Sequence, residues 1–233
     1  MLDVSKIRAI GLDLDDTLWP IWPTIERAEA ELTQWLTPRA SATVALLSDP
    51  ATRLHLREEV LRSRPDLRHD LSAVRREFIR LALERAGEDS RLADPAFEVF
   101  FESRMRVDLF ADTLPALEFL ASRFPVVAIS NGNADVARVG IGAHFKASMG
   151  AHQCGFAKPD TRIFHAAAAA LGVPASQMLH VGDDPELDVL GGLDAGMQTV
   201  WVNRTDRSWE HVSRPHASVN DLRELCVLMG HSP

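Results

Sequence analysis

Residues 9–18 read Ala-Ile-Gly-Leu-Asp-Leu-Asp-Asp-Thr-Leu. The first four residues are apolar and predict a strand, which runs directly into three carboxylates and a turn. Asp13 and Asp15 are two positions apart, so they lie on one side of the chain if the strand continues and converge if it turns. Like charges so placed need a cation to offset their repulsion. A lone Asp-x-Asp is usually an exposed acidic loop, so a catalytic interpretation depends on the rest of the chain.

Two later segments repeat the pattern of an apolar run that ends in polar groups. Residues 126–132 read Val-Val-Ala-Ile-Ser-Asn-Gly, and residues 179–188 read Leu-His-Val-Gly-Asp-Asp-Pro-Glu-Leu-Asp. In a parallel α/β sheet the carboxyl ends of the strands gather at one crevice, where such folds bind ligands. We therefore expect these polar groups to meet the first motif there.

Lys158 is a further candidate because lysine is rare in this chain. The 25 basic residues include only three lysines, at positions 6, 146 and 158. A compact ammonium group in an arginine-rich chain indicates a site that needs a point charge rather than a planar fork. Lys158 also precedes a predicted helix that Asp160 can cap.

Composition indicates an enzyme with a large core. The chain has 233 residues, of which 46% are hydrophobic, and this suits one domain with a substantial insertion. A net charge of -8 without a basic run argues against nucleic acid or an anionic membrane as a partner. No segment resembles a membrane span or a secretory signal, and the two cysteines are too few for a disulfide framework. We therefore expect a cytoplasmic protein.

The order of elements predicts an α/β fold with a doubly wound parallel sheet. A strand over residues 7–12 is followed by a region, residues 20–110, with only helical signals; strand and helix then alternate to the end. Within the helical region, Thr24, Asp49-Pro50 and Asp94-Pro95 are predicted helix starts, and a further helix is expected from Leu71 to near Gly87.

Taken together, the four motifs resemble those of the haloacid dehalogenase superfamily of phosphohydrolases in order and approximate spacing. The resemblance covers essentially the whole chain. It implies a Rossmann-like core made of residues 1–19 and 111–233. It also implies that residues 20–110 form an all-helical cap domain inserted between the first and second motifs.

The resemblance also implies roles for individual residues. Asp13 would be the nucleophile and a metal ligand, and Asp15 would be the general acid and base as well as a ligand through its backbone carbonyl. Asp183 would supply the remaining carboxylate to Mg²⁺, an ion that suits oxygen ligands. The residues expected to bind phosphate are Ser130, Asn131 and Lys158. Those expected to orient ligands, metal waters or Lys158 are Thr17, Asp184 and Asp188, although for Thr17 a purely local turn bond is an equal alternative.

A finer resemblance points to one branch of the superfamily, which dephosphorylates 5-amino-6-(5-phospho-D-ribitylamino)uracil in riboflavin synthesis and accepts sugar phosphates and nucleotides. It is carried by residues 68–70, 130–133, 180–184 and 195–198. The expected substrate is thus a small phosphorylated metabolite, and the protein would be a monomer or homodimer. Candidate substrate contacts are Trp22, His69, Asp70, Arg75 and Asn133; for the cluster at 69–75 a surface capping role is the alternative.

Other functions remain open at this stage. Another phosphatase of the superfamily, such as a nucleotidase or sugar phosphatase, would use the same residues, and so would a phosphomutase that excludes water. Asp15 favours a phosphatase over a dehalogenase, since halide leaves without a proton. A receiver domain would be about half this length, and a binding protein without activity would not need intact motifs. His180 is expected to be a core residue, and Trp19 to pack at a hinge or contact substrate.

Overall fold

The structure is a computed structural model that describes residues 1–231. Within that range one sheet contains six strands, in the order β3-β2-β1-β4-β5-β6, and every neighbouring pair is parallel. The sheet confirms the predicted α/β, doubly wound parallel architecture. The strands are β1 (Ala9–Leu12), β2 (Val126–Ser130), β3 (Ala147–Gly150), β4 (Met178–Gly182), β5 (Gln198–Val202) and β6 (Ala217–Val219).

The central strands are buried along their whole length. Every residue of β1, β2, β4 and β5 is buried, as expected for a parallel sheet that is covered on both faces. The helices of this part of the chain are α6 (Thr113–Ala121), α7 (Val136–Val139), α8 (Ala151–Cys154), α9 (Thr161–Ala170), α10 (Gly191–Asp194) and α11 (Leu222–Leu228). Ile163, Phe164 and Ala167 of α9 pack with Val127 and Ile129 of β2 in one apolar cluster.

The strand order determines where a ligand site can form. From β1 the chain moves outward to β2 and β3, then returns to place β4 on the other side of β1. Ligands bind at such a reversal, beyond the carboxyl ends of the strands. Leu12, the last residue of β1, pairs with both Ala128 and Val181, so β2 and β4 end only two residues and one residue beyond it.

The chain divides into two compact units, one comprising Met1–Pro20 with the chain from Asp108 onward, the other Ile21–Val107. The second unit contains α1 (Ile21–Leu36), α2 (Ser41–Leu47), α3 (Pro50–Ser63), α4 (Leu71–Arg85) and α5 (Ala93–Arg104). Its core includes Leu32, Phe78, Ile79 and Phe97. We call Ile21–Val107 the helical unit. The division lies close to the predicted boundaries; a role as a cap stays a prediction.

Short 3₁₀ turns complete the elements, at Val4–Lys6, Pro65–Leu67, Ser90–Leu92, Gly142–His144 and Ala175–Gln177, with a π-helical turn at Pro185–Leu190. No helix among residues 1–231 combines the length and apolarity that crossing a bilayer requires.

Several predicted boundaries were wrong for identifiable reasons. α1 begins at Ile21, so Thr24 does not cap it but lies buried inside its first turns. The helix predicted from Asp94-Pro95 begins at Ala93. β3 was missed because Ala147–Gly150 contains no β-branched residue, and β6 because three residues carry no clear alternation. By contrast, Asp49 caps α3 by accepting a hydrogen bond from the N–H of Thr52, as predicted.

Candidate active site

Asp13 lies at the carboxyl end of the central strand. Its backbone N–H donates to the carbonyl of Val181 at 2.9 Å, which extends the pairing of β1 with β4 by one residue. The residue is 6% exposed. A buried strand therefore holds a carboxylate rigidly at the point where the sheet reverses its order.

Lys158 joins two of the acidic motifs. Its Nζ lies 2.5 Å from Oδ1 of Asp13 and 2.6 Å from Oδ1 of Asp188. The backbone of Lys158 is held by the side chain of Asn131, whose Oδ1 accepts from its N–H at 2.7 Å and whose Nδ2 donates to its carbonyl at 2.9 Å. The side-chain amide of Asn131 thus uses its oxygen and one of its two N–H groups to hold Lys158, and a phosphate contact from Asn131 stays a prediction.

Asp188 is 1% exposed and both of its oxygens accept hydrogen bonds from protein groups. Oδ1 lies 2.8 Å from Nε2 of His180, in addition to its contact with Lys158, and Oδ2 accepts from the N–H of Asp184 at 3.1 Å. A Cβ atom on Gly182 would lie 2.2 Å from Cγ of Asp188, so this approach requires glycine. Asp188 therefore orients Lys158.

Asp183 is linked to Asp13 through Thr17. The Thr17 hydroxyl lies 3.4 Å from Oδ2 of Asp13 and 3.3 Å from Oδ1 of Asp183. The carbonyl of Asp183 accepts hydrogen bonds from Nε1 of Trp201 at 2.8 Å and from the guanidinium of Arg207 at 2.6 Å. Both the side chain and the backbone of Asp183 are thus fixed.

Asp184 stabilises the loop that follows it. Its Oδ1 accepts from the N–H groups of Glu186 and Leu187, each at 2.8 Å, and so caps the turn at Pro185–Leu190. A role for Asp184 in orienting metal-bound water or Lys158 stays a prediction.

The acidic residues fit a divalent cation. Carboxylate oxygens of Asp13, Asp183 and Asp188 all lie within 4.8 Å of one another. Lys158 is the ammonium that contacts two of these three carboxylates, so the group keeps an excess of negative charge when all are ionised. All donors are oxygens, which suits a hard cation such as Mg²⁺. Three protein groups already contact Asp188, so Asp13 and Asp183 are the carboxylates better placed to bind the cation.

Burial and the closeness of the acidic groups shift the pKa values of the three carboxyl groups. Burial raises the pKa of Asp13 well above its usual value; Lys158 opposes that effect, and Asp188 and Asp183 add to it. Burial, Asp188 and Asp16 raise the pKa of Asp183 to about 7. Burial would also raise the pKa of Asp188, but Lys158 and His180 outweigh it and hold that pKa at about 2. A bound cation would favour the ionised form of Asp13 and Asp183.

The carboxylate of Asp15 is held by a hydrogen bond from Trp19 and lies close to the loop after β2. Its Oδ1 accepts a hydrogen bond of 2.8 Å from Nε1 of Trp19, which is fully buried. Its Oδ2 faces Gly132, where an added Cβ would lie only 2.4 Å away. The bond from Trp19 fixes Oδ1, and the close approach of Oδ2 leaves no room for a side chain at position 132.

Ser130 ends β2 and is 5% exposed. Its Oγ accepts from the N–H of Gly132 at 3.0 Å, which leaves the hydroxyl proton to point elsewhere. Asn133 follows in the same loop and is half-buried. The loop thus presents a hydroxyl beside the carboxylate of Asp15.

The remaining predicted substrate residues all lie in the helical unit. Trp22 is 69% exposed on α1. Asp70 caps α4 through the N–H of Ala73, and His69 accepts a hydrogen bond from Arg68. Arg75 pairs with Glu29 and stacks over the ring of Phe100 at 4.1 Å. The contacts of Asp70 and Arg75 have structural roles within the unit, so a role in specificity stays a prediction.

Sequence reasoning missed several residues of the site. Trp201 and Arg207 contact the carbonyl of Asp183 from β5 and the loop after it, a region with no motif. His180 was assigned only to the core, although its pKa, lowered chiefly by burial, belongs to a ring in contact with Asp188. Trp19 was expected at a hinge or on substrate. The one available signal for His180 was its position two residues before Gly182-Asp183, in the strand that leads into the acidic motif.

Comparison with known proteins identifies the family. A family model for haloacid dehalogenase-like hydrolases matches residues 7–196. The chain belongs to this family. Membership of the haloacid dehalogenase-like hydrolases agrees with the parallel sheet and the four motifs, and it indicates a hydrolase.

Individual relatives in this family carry different activities in their names. The 5-amino-6-(5-phospho-D-ribitylamino)uracil phosphatase YigB of Escherichia coli is 33% identical over 97% of this chain and 98% of its own. A phosphoserine phosphatase of Thermus thermophilus is 34% identical over 65% of this chain and 63% of its own. A solved structure named 2-haloacid dehalogenase, from Pseudomonas syringae, superposes with a TM-score of 0.91 at 37% identity, covering 96% of this chain and 98% of that one.

Proposed function

We propose that this hydrolase is a Mg²⁺-dependent phosphatase of small molecules that works through an aspartyl phosphate on Asp13. The observation that carries the proposal is Asp15, a carboxyl group two residues beyond Asp13 that is held by Trp19 on one side and faces Gly132 on the other. An alkoxide leaving group needs a proton, whereas a halide leaves as a stable anion. A positioned acid at this place therefore favours phosphate esters over haloacids.

The chain's own residues can carry both half-reactions. Asp13 attacks phosphorus, held in line by Lys158, while Asp15 protonates the leaving oxygen. Asp15 then takes a proton from the water that hydrolyses the intermediate. Ser130 and the loop after it would bind the transferring oxygens, and Lys158 would neutralise charge on both nucleophile and phosphoryl group.

Mg²⁺ would be held by the carboxylates of Asp13 and Asp183 and by the backbone carbonyl of Asp15. It would supply the positive charge that lets a phosphate dianion approach a carboxylate: two unit charges about 4 Å apart repel by roughly 4 kcal/mol at an effective dielectric constant of 20. Thr17, between the two carboxylates, would keep them at the spacing that the ion needs.

For the substrate we propose 5-amino-6-(5-phospho-D-ribitylamino)uracil, with activity on other sugar phosphates and nucleotides. The proposal is supported by the relative of that name, which matches this chain nearly end to end. The helical unit is the proposed cap that encloses a small phosphorylated metabolite and excludes water during the reaction.

The second candidate function is dehalogenation, which the similarity to the Pseudomonas syringae structure favours. One experiment separates the candidates: the purified enzyme is given the ribitylaminouracil phosphate, glycerol phosphate, 4-nitrophenyl phosphate and 2-chloropropionate, with MgCl₂ or with EDTA. We expect Mg²⁺-dependent release of phosphate and no chloride. Chloride release, or phosphate release that EDTA leaves unchanged, would contradict the proposal, and a positional isomer of glycerol phosphate formed without free phosphate would indicate a mutase.

A further inference from the structure

Trp19 is a fully buried indole whose single polar atom reaches the first motif. Nε1 donates to Oδ1 of Asp15 at 2.8 Å. An indole N–H can only donate, and a buried donor without a partner is unfavourable, so this bond constrains both residues. The sequence position of Trp19 alone does not imply it.

The backbone around Trp19 is held by hydrogen bonds within the unit that contains the sheet. The carbonyl of Leu18 accepts from the N–H of Phe110 at 3.0 Å and from the hydroxyl of Thr113 at 2.7 Å. The carbonyl of Trp19 itself accepts from the N–H of Asp16 at 2.7 Å. These bonds fix the backbone that carries the indole. The indole therefore holds the carboxylate of Asp15, rather than the carboxylate holding the indole.

The two oxygens of Asp15 therefore have different surroundings. Oδ1 faces the indole, while Oδ2 faces Gly132, where a Cβ would lie 2.4 Å from Oδ2 and 3.2 Å from Oγ of Ser130. Oδ2 thus lies on the side of Ser130, whose hydroxyl would bind the transferring oxygens in the proposed function. In a carboxylic acid the carbonyl oxygen accepts hydrogen bonds and the other oxygen carries the proton.

We propose that Trp19 is a positioning residue for proton transfer: its N–H keeps Oδ1 of Asp15 as the acceptor, so that the transferable proton sits on Oδ2. This inference rests on the proposed function. In the first step an oxygen of Asp13 bonds to phosphorus, the ester P–O bond breaks, and its electron pair stays with the leaving oxygen, which takes the Oδ2 proton. In the second step water bonds to phosphorus, the bond to Asp13 breaks, and one proton of water returns to Oδ2.

The test uses leaving groups that differ in their need for a proton. The alkoxide of glycerol phosphate requires protonation, whereas 4-nitrophenolate leaves as a stabilised anion. For Trp19→Phe we expect kcat/KM for glycerol phosphate to fall about tenfold more than kcat/KM for 4-nitrophenyl phosphate. Loss of packing alone would lower both values by the same factor. The control Trp35→Phe changes a ring that packs against the core of the helical unit, and it should leave the ratio unchanged.

A folding defect in Trp19→Phe is handled by a second variant. Site-specific replacement of the indole by benzothiophene keeps the ring shape and removes only the N–H, and the same selective loss is expected. A wild-type ratio in either folded variant would overturn the role of Trp19. Asp15→Asn serves as the reference, with an expected selective loss of about a hundredfold or more. If Asp15→Asn kept the wild-type ratio, the acid role in the proposed function would itself be wrong.

Discussion

Gly182 and Asp188 approach so closely that a Cβ atom on the glycine would stand 2.2 Å from Cγ of the aspartate. Because Asp188 contacts Nζ of Lys158, Gly182→Ala should displace the aspartate and misplace the lysine. We expect kcat to fall by roughly 10- to 100-fold, measured by phosphate release. Gly172→Ala is the matched control: its positive φ of 67° should lower stability, but an added Cβ meets nothing within 4 Å, and kcat should be retained. An unchanged kcat in Gly182→Ala would show that the site tolerates a shift of Asp188.

Asp13→Asn should reduce hydrolysis of 4-nitrophenyl phosphate by several orders of magnitude. The amide keeps the size of the side chain, but it cannot act as the nucleophile and it lacks the negative charge that binds a cation. The initial rate and the melting temperature of the variant should be measured together. A folded variant that kept most of the activity would rule out an aspartyl phosphate at this position.

Lys158→Arg should lose most activity although it keeps the charge. Nζ occupies a buried point 2.5 Å from Asp13 and 2.6 Å from Asp188, and a planar guanidinium cannot fit both contacts without moving one carboxylate. The exposed Lys146 provides the control, since Lys146→Arg should have wild-type turnover. Near wild-type turnover in Lys158→Arg would mean that any buried cation suffices.

Substrate specificity can be assigned with His69→Ala and Arg75→Ala. If these residues contact substrate, kcat/KM should fall more for the ribitylaminouracil phosphate than for 4-nitrophenyl phosphate, which lacks the ribityl hydroxyls and the pyrimidine ring that they would bind. Arg76→Ala is a close match for Arg75→Ala, because Arg76 also pairs with acidic residues and stacks over a phenylalanine ring, Phe97, at 4.2 Å. Equal effects of the two arginine variants on both substrates would limit the patch to a structural role.

The pair of Asp112 and Arg204 should make stability depend on pH. Burial opposes ionisation of Asp112, but hydrogen bonds from Arg204 and the N–H of Leu222 prevail and lower its pKa. A carboxyl with a lowered pKa stabilises the fold above its unfolded pKa, and that contribution disappears as pH falls through the folded value.

Asp112→Asn should therefore lower the free energy of unfolding by about 3 kcal/mol at pH 7, and by progressively less below about pH 4. Urea unfolding at a series of pH values measures the difference. Asp66→Asn, which removes an exposed partner of Arg64, should have a much smaller effect. A difference for Asp112→Asn that did not change with pH would show that the charge of Asp112 is irrelevant to stability.

Periodicity and motif order predicted the sheet and its crevice because each strand runs into its polar group within one or two residues. Asp13 and Ser130 are such cases, and their placement follows once β1 and β2 are recognised. The same local logic correctly identified Asp49 as a helix cap.

Contacts between distant segments could not be predicted in this way. Trp201 reaches the carbonyl of Asp183 across the pairing of β4 with β5, and Asn131 binds the backbone of Lys158 across 27 positions. These bonds depend on register and on which rotamer the packing selects, neither of which has a local pattern. The support that Asn131 gives to Lys158 was not predicted for this reason, and its phosphate contact stays a prediction.

The central position of β1 also affects how the protein is made. β1 is synthesised before the other five strands of the sheet, yet one of its two neighbours is β4, and Met178, which pairs with Ala9, is synthesised 169 positions later. Until then an entirely apolar strand has one edge without a partner, and such edges pair readily with other chains. The nascent chain thus passes through a long interval in which the strand that leads to Asp13 keeps an unpaired apolar edge.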